Sequence, residues 1–469
     1  MLFNSIDFAI FLPIVFLLYW LVAKNNLKRR NVLLLVASYL FYGWWDWRFL
    51  SLIVFSSFVD FFVGHYLGKE EVPAKRKLLL WTSILINLGF LGFFKYYNFF
   101  AESLVDAFTF FGQGFQLSTL NIILPVGISF YTFQTMSYTL DIYQKKFEPT
   151  DDIIAFFAFV SFFPQLVAGP IERAAHLLPQ FHEPKHFSYQ LISEGLKKML
   201  WGLFMKVAVA DRLSLYVDAI YNNVDMHTGL SFVVATIFFA FQIYCDFAGY
   251  SLIAIGCAQI FGFDLMENFR RPYLSGSFKE FWGRWHISLS TWFRDYVYIP
   301  LGGSRVSTSR QYFNLFTTFV VSGLWHGANW TFIAWGAIHG LYQIIEKGVL
   351  KINTKKRAGF FRILLVFLFT CLAWIFFRAA NIQDALQILS TIFTDPGSQI
   401  HIGDKGIFAF SILGIMILFT VDFMQEFYPE FKVLNHPNVV VRFACISVLI
   451  LYIVGLGVFD GSQFIYFQF

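Results

Sequence analysis

The chain has 469 residues, of which 57% are hydrophobic and 21% aromatic but only 14% charged, with a formal net charge of +5. Soluble domains carry about 25% charged residues, so this composition excludes a water-soluble protein and points to membrane lipid as the solvent. The small positive excess calls for no nucleic acid, because basic residues gather in the cytoplasmic loops of membrane proteins anyway.

A spanning helix needs about 20 apolar residues, and loops rich in Lys and Arg should face the cytoplasm. Residues 6–23 form a first span, retained rather than cleaved: no positive region precedes the apolar run and no small-residue cleavage pattern follows it. Lys24, Lys28, Arg29 and Arg30 then place the next loop inside. Span 32–45 goes out, and 49–67 returns to the charged loop KEEVPAKRK. Span 78–97 goes out, and 122–143 returns to Lys145 and Lys146. Residues 153–168 are apolar but interrupted by Pro164, which suits a re-entrant segment as well as a pass. The Pro- and His-rich stretch 172–187 cannot span and is placed at the cytoplasmic interface.

Residues 191–221 enter with Lys197, Lys198 and Lys206, and 230–261 come back. Residues 278–300 mix aromatic and charged side chains, as an amphipathic helix does when it lies in the interface or packs inside. Segments 312–325 and 331–345, joined through a bend at Gly327–Asn329, lead to Lys347, Lys351, Lys355, Lys356 and Arg357. Spans 361–377, 407–423 and 443–459 complete the pattern and leave the tail 460–469 outside. The expectation is an all-α polytopic membrane protein of about a dozen passes. It forms one membrane unit over residues 1–469, with both termini on the outer face.

Ionisable side chains inside apolar sequence are costly and mark candidate functional sites. His326 stands in SGLWHGANW between Gly323 and Gly327, which leave room beside an imidazole. A buried neutral imidazole can take the proton of an attacking hydroxyl; the alternative is a histidine that simply bonds a neighbouring helix. His286 stands in GRWHISLSTWFRDY, where a helix would put Ser290 on its own face. It either serves the same chemistry or sits at an interfacial helix at little cost. Arg284, Arg294, Arg270 and Arg271 suit a phosphate-rich donor, since a guanidinium pairs phosphate in a fork, and equally suit lipid headgroups. Trp285 flanks His286 among these candidate donor contacts.

Asp246, in FQIYCDFAGYS, is expected to pair with an arginine or cap a broken helix, and Asn329 supports the bend after His326. His339 is expected to pack or to line the wall. The remaining histidines share no ligand spacing, and Cys245, Cys257, Cys371 and Cys445 show no CxxC or Cys–His pattern. They read as small buried hydrophobes, so no metal is expected. No HExxH, GxSxG, P-loop or dinucleotide fingerprint appears.

The blocks RWHISLSTWFRDYVYIPLGG and WHG, with YCDFAGYS, FPQLVAGPIER and the opening LFNSIDFAIFLP, resemble the membrane-bound O-acyltransferases. The likeness is to the branch around the alginate O-acetyltransferase membrane subunit, and it covers nearly the full length. The resemblance implies a ring of tilted helices around a thin core with a central passage. It maps the essential family histidine to His326 and the second of the pair to His286. It further implies an acyl group, for this branch acetyl from acetyl-CoA, moved from a cytoplasmic thioester across the bacterial inner membrane to an extracytoplasmic polysaccharide. No tightly bound cofactor is implied, but a separate periplasmic transferase of the SGNH type is. Peptidoglycan O-acetyltransferases and teichoic-acid D-alanyltransferases are in-class alternatives, and a non-catalytic transporter or scaffold is the alternative from another class. The tail FIYFQF is similar to FxYxxF motifs of such systems, in which the tyrosine, here Tyr466, carries the acyl group. An aromatic belt anchoring the last helix is the other reading of that tail.

Overall fold

The structure, a computed structural model, describes residues 1–23, 26–112, 117–167, 169–351, 358–428, 430, 432–459 and 464–465. Among the described residues every regular element is helical. Six stretches are long and apolar enough to cross a bilayer: Leu27–Lys69, Pro73–Phe110, Gly229–Ile260, Phe360–Arg378, Lys405–Phe427 and Val439–Leu456. Ile6–Val22 and Ile153–Leu166 are shorter apolar helices. The chain is therefore a multi-pass helical membrane protein. Four of the long stretches coincide within a few residues with the expected spans 230–261, 361–377, 407–423 and 443–459. Leu27–Lys69 holds two helices, Leu27–Asp46 and Leu50–Lys69, which meet at a turn where the Asp46 carboxylate accepts from Arg48 N.

The described residues pack as two compact units, Met1–Met199 with Ile253–Met266 and Leu200–Leu252 with Glu267–Phe469. In the first, Ile153–Ser161 stops at Phe162 and Phe163–Leu166 forms a separate turn around Pro164. Proline has no N–H to carry the helical ladder onward. A buried polar seam joins three helices of this unit. Asp60 accepts from Ser83 Oγ, from Asn87 Nδ2 at 2.8 Å and from Thr139 Oγ1 at 3.2 Å. Apolar surroundings supply no water to a carboxylate, so its partners must come from the protein.

The second unit contains both candidate histidines. The expected helix 191–221 is in fact Tyr189–Leu203 and Asp211–Tyr221, separated by a wide π turn at Phe204–Ala210. The wide turn changes the side-chain register. Lys206, expected at the cytoplasmic entrance, is consequently buried and 1% exposed. The expected amphipathic helix 278–300 is also broken. Phe278–Trp282 ends at Gly283, His286 adopts a left-handed conformation (φ 42°, ψ 55°), and Ile287–Phe293 follows.

Thr308–His326 and Trp330–Ile345 form an antiparallel pair that packs through small residues. A Cβ at Gly323 would strike the Phe332 carbonyl, one at Gly336 would strike the Phe319 carbonyl, and each would lie 3.2 Å from the other glycine's Cα. Contact this close is the usual role of small residues between membrane helices. Gly323→Ala and Gly336→Ala are each expected to lower the thermal midpoint of the detergent-solubilised protein, at a cost of about 1–3 kcal/mol. Gly89→Ala is the control, because a Cβ there meets nothing within 4 Å. That change should leave the midpoint unchanged or raise it, since alanine favours a helix interior over glycine by about 1 kcal/mol.

Candidate active site

His326 is the last residue of Thr308–His326, and Gly327 continues in extended conformation (φ −158°, ψ 150°). A side chain at Gly327 would collide with the Phe332 ring, so only glycine allows the chain to turn back this tightly. Asn329 then caps the returning helix by accepting from Thr331 N at 3.0 Å, and its amide donates to the Ala380 carbonyl at 3.0 Å. The turn places the His326 ring, 2% exposed, edge-on to Trp335 (4.9 Å between centroids), Trp325 (5.1 Å) and Phe377 (5.6 Å). The His286 and His326 rings lie 6.4 Å apart, so both imidazoles can reach one small substrate group.

His286 is fully buried and is held from an adjacent segment of the chain. Two backbone bonds tie the strand-like stretches together: Arg270 N to Arg284 O and Ile287 N to Asn268 O, each 2.9 Å. Between them lies the Asn268 side chain. Its Oδ1 accepts from Ser288 N (3.2 Å) and Ser288 Oγ (2.9 Å), and its Nδ2 donates to Ser251 Oγ at 3.2 Å. A backbone N–H can only donate, so the oxygen end of the amide must face Ser288. The same oxygen lies 3.1 Å from His286 Nδ1, which is therefore the protonated nitrogen. The lone pair of the neutral ring is left on Nε2. Ser290, expected one turn along on a helix from His286, does lie there: its backbone N donates to the His286 carbonyl at 2.9 Å, the first rung of Ile287–Phe293. The left-handed break at His286 interrupts the expected helix before this point, not at Ser290.

A cavity of about 810 Å³ runs along one side of the hairpin. Lys347 and Lys351 line it beside Gln311, near the start of Thr308–His326, and Ser322 lines it one helical turn before His326. Ile287 and Ser290, just beyond His286, also line it, as do Lys279 and Arg294. The cavity thus combines a cationic region with walls next to both histidines. Trp282 lines the cavity and its indole donates to His339 Nδ1 at 3.4 Å, and His339, behind the wall, packs against Trp335 at 5.0 Å.

The other sequence candidates fall into different settings. Arg294 lines the cavity and pairs with Asp295 at 2.8 Å. Arg284 is engaged by Glu280 (2.7 Å) and Glu426 (2.9 Å), and Arg271 by Glu426 (2.7 Å). Trp285 is fully buried among Phe269, Phe281 and Trp374 and is not on the cavity wall. Asp246 pairs with a lysine, not the expected arginine: Lys206 Nζ is 2.5 Å away and also 2.6 Å from Asp211. Cys245, Cys257 and Cys371 are buried free thiols, and no cluster of metal-ligating side chains occurs among the described residues. Tyr466 lies outside the described residues. Sequence reasoning missed Asn268, Lys279, Lys347 and Lys351 as parts of the site. Lys347 and Lys351 carried a signal, since they belong to the basic cluster after 331–345, and Lys279 stood among the charged residues of 278–300, but Asn268 carried none.

Two buried imidazoles 6.4 Å apart stand near a cavity lined by Lys279, Arg294, Lys347 and Lys351 together with Glu346, in a helical membrane scaffold, an arrangement that can support proton transfer. Residues 79–383 match the MBOAT, membrane-bound O-acyltransferase family. The chain is 42% identical over 400 residues to a probable alginate O-acetylase, AlgI, of Pseudomonas aeruginosa, covering 84% of this chain and 75% of that protein. It is 42% identical over 399 residues to the Pseudomonas putida protein of the same description, covering 84% and 80%. A peptidoglycan O-acetyltransferase of Helicobacter pylori is 36% identical over 425 residues, covering 83% and 79%. The chain belongs to the membrane-bound O-acyltransferase family, and it is an O-acyltransferase.

Removing Asn268 takes away the acceptor that orients His286. Asn268→Ala is expected to cost about 1–3 kcal/mol of transition-state stabilisation, roughly a 5- to 150-fold loss of kcat. Asn268→Asp keeps an acceptor at Nδ1 and should recover much of the rate. Its carboxylate favours the imidazolium, so the acidic limb of the kcat profile should move to higher pH. A purely structural asparagine would show the loss without that movement.

Proposed function

We propose that the protein takes an acetyl group from a cytoplasmic thioester, acetyl-CoA, and delivers it for O-acetylation of an extracytoplasmic polysaccharide of the alginate type. The observation that carries this reading is the cavity whose walls hold Lys279, Arg294, Lys347 and Lys351 and come within one helical turn of His326. The cations offer sites for the phosphates of the donor, and the basic loops support a cytoplasmic setting for that region. The setting is the bacterial inner membrane, with about a dozen passes ringing a thin core with a central passage and both termini outside. A periplasmic SGNH-type transferase, as a separate chain, is the partner that completes polymer acetylation.

In the reaction, His326 takes the proton of an attacking hydroxyl while its oxygen forms the new ester bond to the thioester carbonyl. The carbon–sulfur bond breaks and the thiolate leaves. The hydroxyl belongs either to the acceptor or to Tyr466, whose phenol ester would pass the acetyl group onward because phenoxide is a good leaving group. The alginate assignment follows the 42% relatives; the Helicobacter pylori relative at 36% favours peptidoglycan as the second reading.

In liposomes loaded with labelled acetyl-CoA, His326→Ala is expected to lower acetyl transfer by about 10²–10⁴-fold. A transporter would keep moving the label after that change. Lys347→Ala with Lys351→Ala should raise the donor KM while leaving kcat close to wild type. Tyr466→Phe retains the ring and removes the hydroxyl. The relay predicts that polymer acetylation collapses, whereas a membrane-anchoring belt predicts wild-type acetylation.

A further inference from the structure

We propose that Asp246, backed by Lys206 and Asp211, is a positioning residue for acyl transfer: it clamps the 464–465 segment of the chain beside His286. Within this tail Phe464 is fully buried and Ile465 is 4% exposed. After the last long helix, Val458 N donates to Val207 O at 2.9 Å, using a carbonyl of the wide turn at Phe204–Ala210. The chain is pinned again at Ile465, whose backbone N donates to Asp246 Oδ2 at 2.7 Å.

The two carboxylate oxygens of Asp246 divide the work. Oδ1 faces Lys206 Nζ at 2.5 Å, and Oδ2 holds the Ile465 amide. Asp246 thus meets an ammonium on one oxygen and a main-chain donor on the other, in a buried setting. A backbone N–H to an ionised carboxylate is a charge-assisted bond, stronger than a neutral one. The helix Gly229–Ile260 also supplies the aromatic half of the clamp. The Phe464 ring packs on Phe247 at 5.5 Å and on Tyr250 at 4.8 Å. Phe247 in turn stands edge-on to His286 at 4.5 Å. One ring therefore touches both the docked segment and the catalytic imidazole. The clamp fixes the two residues that precede Tyr466, so the proposal rests on the reading that the tail takes part in the transfer.

The test uses the full chain in nanodiscs, with hydrogen exchange at the Ile465 amide and polymer acetylation measured side by side. Asp246→Ala leaves Lys206 and Asp211 as a balanced pair. Phe464→Ala alters only the docked segment, so it remains informative if the first variant fails to fold. Both are expected to release the Ile465 amide to exchange and to lower kcat for acetylation by about tenfold to a hundredfold, with the donor KM unchanged. Retained protection in both variants overturns the clamp, and so does lost protection with wild-type acetylation. Tyr466→Phe separates the two ideas, because it should leave the amide protected. If Tyr466→Phe acetylates normally while Phe464→Ala does not, the relay fails and the clamp stands.

Discussion

The Ser288 backbone N–H can do nothing but donate, and in a site sealed from water it must find an acceptor within the protein. It finds Asn268 Oδ1, which orients the whole amide: nitrogen toward Ser251, oxygen toward Ser288 and His286. Through that orientation a main-chain group two residues beyond His286 sets which imidazole nitrogen carries the proton. The left-handed backbone at His286 belongs to the same arrangement. It lets Ile287 N reach the Asn268 carbonyl, so main chain and side chain of one asparagine hold both sides of the histidine. A left-handed non-glycine residue costs of order 1–3 kcal/mol, and these bonds offset it.

The two units handle buried charge in different ways. In the first, Asp60 is surrounded by hydroxyls and an amide that donate to it. In the second, Lys206 stands between two aspartates, and the main chain of a distant segment completes the set. Breaking a buried ion pair by removing one partner costs about 3–5 kcal/mol, so a segment docked on such a group is held by more than its own contacts. Hydroxyl and amide donors around one carboxylate join helices. An ion-paired carboxylate can receive a separate piece of chain.

Much of this architecture was legible in the residues. Apolar runs of spanning length located Gly229–Ile260, Phe360–Arg378, Lys405–Phe427 and Val439–Leu456, because the hydrocarbon thickness imposes that length regardless of neighbours. The bend after His326 was visible in Gly327 and Asn329. The breaks at Phe204–Ala210 and at His286 were not, because each depends on a partner remote in sequence: Val458 for one and Asn268 for the other. Lys206 was misplaced for the same reason. A lysine near a run's start reads as a surface cation until the two carboxylates that bury it are known. Arg284 and Trp285 sit in the most recognisable block of the chain, yet one is held by carboxylates and the other by aromatic rings. Spacing in sequence did not distinguish them from the cavity-lining Arg294.

The two imidazoles also differ in what their surroundings favour. His326 closes Thr308–His326, at the end of the helix where the macrodipole is negative. His286 instead begins a short helix, with its protonated nitrogen committed to Asn268 and its lone pair on Nε2. A thioester transfer needs one strong proton acceptor, for the attacking hydroxyl, because a thiolate leaves without prior protonation more readily than an alkoxide does. In the proposed reaction the helix-end histidine fills that role. In that proposal the asparagine-held histidine would orient the hydroxyl through its lone pair, a division of roles that needs only one base.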